Sequence, residues 1–69
     1  MEAGQKLWNG ALVICEKNGV VLAVTKYYST FITWRWDGKD TRTLWAGHYF
    51  ASVAHAAADF ERRVLANGG

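Results

Sequence analysis

Asn18-Gly19 sits between two apolar runs, and this dipeptide limits the fold of the chain more than any other feature. A two-residue type I′ hairpin turn needs positive φ at both central positions, which Asn and Gly tolerate. Residues 11–17 and 20–26 therefore read as two antiparallel strands. A two-residue loop sets Cys15 opposite Leu22 and Val13 opposite Val24 on one face. Leu12, Ile14, Val21 and Ala23 then share the other. Both faces are apolar, so the hairpin must be covered on two sides or meet a partner.

A second hairpin follows. Phe31-Ile32-Thr33-Trp34-Arg35-Trp36 alternates, with Ile32, Trp34 and Trp36 on one face and Phe31, Thr33 and Arg35 on the other. Asp37-Gly38-Lys39-Asp40 is its turn, and Asp37 and Asp40 read as residues that bond their own backbone. Residues 41–46 make a fourth strand, which Gly47 ends. If the loop is 37–40, Arg35 and Arg42 face each other. Ser52 is a good N-cap for a helix over 53–66, whose stripe is Val53, Ala57, Phe60 and Val64, widened by Ala56. Arg62 and Arg63 fall in its last turn, where cations suit the helix dipole. Asn67-Gly68-Gly69 stops it.

The fold expected is α+β and a single domain over 1–69. An antiparallel four-stranded meander, with strands 11–17, 20–26, 31–36 and 41–46, packs one face on one C-terminal helix. The alternative is three strands, with 11–16 packed irregularly. Residues 1–10 are polar apart from Leu7 and Trp8 and read as a loose start. Which sheet face the helix covers stays open, because 12–25 are apolar on both sides. The uncovered face, or a portion of it, is expected to be open.

Several function classes are disfavoured by what the chain lacks. Cys15 is the sole cysteine, so no intramolecular disulfide forms. In a domain this small that points to the cytoplasm. Cys15 lies in an apolar run and reads as a buried structural thiol. His48 and His55 could approach each other, but with Cys15 they fall short of the roughly four ligands of a structural zinc site. No metal or other cofactor is expected. The longest apolar run, Val20 to Val24, is far short of a membrane span, and Met1 to Lys6 is not a signal peptide. No phosphate-binding glycine loop and no nucleophile–base pair is legible, and Asp59 and Glu61 do not share a helix face. The chain is not expected to be an enzyme.

A surface remains. The net charge of +2 is concentrated in 26–45, where Lys26, Arg35, Lys39 and Arg42 outnumber Asp37 and Asp40. Four tryptophans, three tyrosines and three phenylalanines are more than one small core can hold, at roughly 150–250 Å² each. Tyr, Trp and Arg are also the residues most enriched at binding hot spots. The candidate partner-binding residues are therefore Tyr27, Tyr28, Trp34, Arg35, Trp36, Lys39, Arg42 and Trp45. Trp36 is expected to be the most exposed tryptophan, and Trp34 and Trp45 are the ones that a bland reading would bury.

The stretch Trp45-Ala46-Gly47-His48-Tyr49-Phe50, followed by Ala57, Phe60, Glu61, Arg62 and Arg63, resembles the tail of small bacterial and phage proteins. In size and plan the chain resembles compact accessory proteins of phages and mobile elements, including anti-CRISPR inhibitors. That resemblance implies a module that docks on a larger host protein or complex. In layout, residues 20–66 also resemble the strands-then-helix DNA-binding domains of phage integrase arms and of the plant ethylene-response type. There the exposed sheet face enters the major groove, and Arg35, Trp36, Lys39 and Arg42 hold the matching positions. Low net charge, with Asp37 and Asp40 beside those positions, departs from that pattern because carboxylates repel phosphate. The expected function is a non-catalytic protein-binding module of the inhibitor type. The alternative is a DNA-binding sheet, and self-association through the apolar hairpin is a third outcome.

Overall fold

The computed structural model describes residues 1–25 and 27–68, with side chains to residue 66. Lys26, the expected end of the second strand, lies outside the described residues, as do Gly69 and the side chain of Asn67 in the terminal stop. The elements are β1 (Leu12–Lys17), β2 (Val20–Val24), β3 (Phe31–Trp36), β4 (Leu44–Phe50) and α1 (Val53–Gly68). The strands form one antiparallel sheet in the order β1-β2-β3-β4, with α1 packed on one face, so the fold is α+β.

The first turn forms as its residues demand. Asn18 and Gly19 take φ of 51° and 76°, and Lys17 pairs with Val20 across them. Further along, Cys15 faces Leu22 as expected, but Val13 faces Ala23 rather than Val24. A bulge at Ile14 inserts one extra residue between Val13 and Cys15. Val13 thereby moves to the face of Val21 and Ala23, where it is buried, and Ile14 is left exposed.

The second hairpin differs more. Residues 41–43 are not strand, because the loop runs from 37 to 43 and is closed by its own hydrogen bonds. Asp37 Oδ1 accepts from the amides of Lys39 and Asp40, Asp40 Oδ1 from that of Arg42, and the Asp40 carbonyl from the Thr43 amide and from Trp36 Nε1. Pairing resumes at Leu44 with Trp36. Nor does Gly47 end the strand. A second irregularity, opposite Trp34 and with Ala46 at φ 54°, lets β4 continue so that His48, Tyr49 and Phe50 face Thr33, Ile32 and Phe31. Arg35 consequently faces Trp45, and Arg42 sits in the loop.

The register sorts the side chains. Val20, Leu22 and Val24 share a row-by-row face with Arg35, Thr33 and Phe31, and this is the side that α1 covers. Polar bonds from α1 to Thr33 and His48 fix that assignment. The opposite face is not open over β1–β3. Leu7, Ala11, Val13, Val21, Ala23, Ile32 and Trp34 form the apolar core there, with Met1, Trp36 and Leu44 packed against it. Residues 1–11 are therefore a cover and not a loose start. The Gly4 amide bonds the Val13 carbonyl, the Val13 amide bonds the Gln5 carbonyl, and Leu7 is tied to Ala11. The N-terminal ammonium lies 3.6 Å from Glu16 Oε1. Of the two expected anchors, Leu7 is buried and Trp8 exposed.

On α1, Ala56, Asp59, Arg63 and Val64 are buried, while Val53, the first residue of the expected stripe, is exposed. The Ser52 carbonyl accepts from the Ala56 amide, as an N-cap residue's does. The helix reaches Gly68, so Arg62 and Arg63 lie above its last turn and act through side-chain contacts instead.

Candidate functional site

A buried polar joint ties α1 to the sheet. The Thr33 hydroxyl, fully buried, donates to Asp59 Oδ2 at 2.6 Å and accepts from Arg63 Nη1 at 3.2 Å. Arg63 also donates to the carbonyls of Thr33 and Ala46 and to His48 Nε2, the last at 3.2 Å. A guanidinium has only donors. His48 Nε2 therefore accepts, and the ring proton sits on Nδ1, donated to Asp59 Oδ2 at 3.0 Å. Arg62 closes the set on Asp59 Oδ1 at 2.7 Å. No buried side-chain polar atom among the described residues lacks a partner.

Burial pushes the Asp59 carboxyl up, but hydrogen bonds from Thr33, His48 and Arg62 outweigh it and hold its pKa at about 2. Arg63 is pushed down by burial first. Asp59 opposes that shift, while Arg35 and Arg62 add to it. Two arginines, Arg62 and Arg63, thus converge on one carboxylate, while Arg35 lies near enough to Arg63 to disfavour its charge, and its side chain has no hydrogen bond or ion pair among the described residues. The Thr33 hydroxyl gives its proton to a carboxylate rather than to a histidine, and water cannot reach it.

The candidate binding residues divide. Trp34 is 7% exposed and belongs to the core, so its place on a contact surface is withdrawn. Trp36 is half-buried against that core, with its indole N–H engaged at 2.9 Å by the Asp40 carbonyl. It is not the most exposed tryptophan. Trp45, on the outer strand, is 47% exposed. Arg35 and Trp45 stand opposite each other on the helix side of the sheet, and exposed Lys39 and Arg42 occupy the adjoining loop. Tyr27 and Tyr28 are exposed in the connection between β2 and β3. That connection is at the other end of β3, a strand length of about 20 Å away, so they form a separate patch.

Sequence reasoning missed three residues around this region. Half-exposed His48 shares the face of Arg35 and Trp45, well-exposed Arg62 is bound to Asp59 beside His48, and Tyr49, 65% exposed on the outer strand, lies on the opposite face with Ile32. A signal for the buried joint beside them lay in the helix period. Asp59 and Arg63 are four apart and fall on the turn-by-turn face of Ala56, so a charged pair was due on the buried side.

Cys15, His48 and His55 do not gather. Among the described residues no group of three His, Cys, Asp or Glu side chains is placed to hold a metal. Burial, then Glu16, pushes the Cys15 thiol up, which leaves it a poor nucleophile. No helix is long and apolar enough to cross a membrane among the described residues. No protein-family model matches the chain, and no curated protein or solved structure matches it either.

Proposed function

We propose that the protein is a non-catalytic binding module that docks on a larger host protein, in the manner of the inhibitors carried by phages and mobile elements, and that its contact runs along β4 and the 37–43 loop. One observation carries this reading. Trp45 stands half-exposed opposite Arg35, an arginine with no partner of its own, on the outer strand of the sheet. A large aromatic beside an unneutralised guanidinium is the composition of a binding hot spot. Exposed Arg42 and Lys39 in the adjoining loop favour a partner surface that carries carboxylates. Asp37 and Asp40 offset part of this charge, each with one oxygen turned onto loop amides.

The DNA-binding alternative needs a free sheet face to enter the groove. Here α1 packs on the Arg35 face, leaving its Trp45 end half-exposed, and the Trp36 face lies under residues 1–11 over most of its width. The test is affinity capture from host lysate with wild type and with Trp45→Ala, each with and without nuclease. A stoichiometric protein that survives nuclease and is lost with Trp45→Ala is expected. Capture that vanishes with nuclease would move the function to nucleic acid.

A further inference from the structure

A second surface lies on the opposite flank of α1. The helix packs chiefly across β2, β3 and β4, with the end of β1 beside it. Between them runs an open groove of about 340 Å³, lined by Lys17, Phe60, Glu61, Val64 and Leu65. Its floor is apolar, from half-buried Phe60 and buried Val64. Leu65 stands at its margin, 77% exposed, which makes it the most exposed aliphatic side chain among the large hydrophobics described. Lys17 and Glu61 bring opposite charges to the same groove, and neither has an ion-pair partner within the chain among the described residues.

We infer that a second copy of this chain occupies the groove, related by a two-fold axis. A two-fold contact uses one patch on both subunits, so the patch must carry its own complement. This one does. An apolar knob, Leu65, lies beside an apolar hole over Phe60 and Val64, and a free cation lies beside a free anion. In the dimer each Leu65 enters the other copy's groove, and each Lys17 meets the other copy's Glu61. The contact also supplies apolar burial that a 69-residue chain is short of. Arg35, Trp45 and the 37–43 loop take no part, so the dimer presents the proposed docking surface twice.

The experiment is sedimentation velocity on the full chain across a wide concentration range, with capture from lysate run in parallel. Wild type is expected to pass from the mass of one chain to that of two. Leu65→Arg is expected to weaken association by about tenfold or more, with an unchanged melting curve at low concentration because the side chain is exposed. Lys17→Glu weakens it as well, and Lys17→Glu with Glu61→Lys restores it. A wild type that keeps the mass of one chain throughout overturns the inference. So does a dimer indifferent to both Leu65→Arg and the charge reversals. If wild type stays single while Leu65→Arg abolishes capture of a host protein, the groove belongs to that protein and the inference fails. Loss of capture in Trp45→Ala with the dimer intact separates this surface from the docking one.

Discussion

Asp59 is the one carboxylate that the fold buries among the described residues, and the helix–sheet joint is organised around it. Asp59→Asn leaves buried Arg63 without its counter-charge, a change that costs about 3 kcal/mol. Urea denaturation reads it as a lower midpoint at an unchanged slope. The same residue sets an acid limit. Its pKa falls from 3.8 to about 2 on folding, so the unfolded chain takes the proton first. The stabilisation is complete above roughly pH 4 and is lost as pH falls toward 2, on the order of 2 kcal/mol in all. Stability measured through that window should flatten in Asp59→Asn. The tryptophans separate binding from stability at the same scale. Trp34→Ala empties a core site and costs about 3–5 kcal/mol. Trp45→Ala changes stability by less than about 1 kcal/mol, but is expected to weaken partner binding by about 2 kcal/mol. Titration calorimetry beside thermal melts checks the pair.

At the scale of elements, two segments do work that their composition conceals. Residues 1–11 look polar, yet they lay Met1, Leu7 and Ala11 on the sheet face away from the helix. Deletion of residues 1–10 should expose Val13, Ile32 and Trp34. The expected outcome is a red-shifted tryptophan emission with dye binding to apolar surface, and near-native emission would show the cover to be dispensable. In β4, Gly47 lies against the core. A Cβ there would stand 3.0 Å from Trp34 Nε1 and 3.1 Å from the Tyr49 hydroxyl. Tyr49 is exposed and can move, but Trp34 cannot without disturbing the core. Gly47→Ala is expected to cost about 1 kcal/mol, seen as a lower melting temperature, and Tyr49→Ser in the same chain should not relieve it.

For the whole molecule, the sheet divides two kinds of interior. One side is an apolar core closed by the N-terminal segment. The other is a helix held by three buried valine and leucine side chains and by one ionic joint. The charges gather where the joint meets the β4 edge, so association with the proposed partner should be steered electrostatically. Its on-rate is expected to fall as salt rises, by far less than the decades typical of multi-phosphate DNA contact. Stopped-flow association at two ionic strengths measures this. A loss of several decades would identify phosphate as the ligand.

Local chemistry determined the parts that need only neighbours along the chain. Asn18-Gly19 fixed the first hairpin because few residues accept positive φ. The alternation of residues 31–36 fixed a strand, and the spacing of Val53, Ala57, Phe60 and Val64, widened by Ala56, fixed a helix against a sheet, although Val53 lies outside the contact. Which face that helix covered was not decided locally, since residues 12–25 are apolar on both sides and serve either assignment equally. The bulges at Ile14 and opposite Trp34 were also silent, because an extra residue in one strand shows only against its partner's register. They moved Val13 into the core, carried β4 past Gly47 to His48 and Tyr49, and set Arg35 against Trp45 instead of Arg42. Only the assembled tertiary structure placed Thr33, His48, Asp59 and Arg63 together. A charged pair is stable inside a protein only when distant strands bring every donor and acceptor it needs.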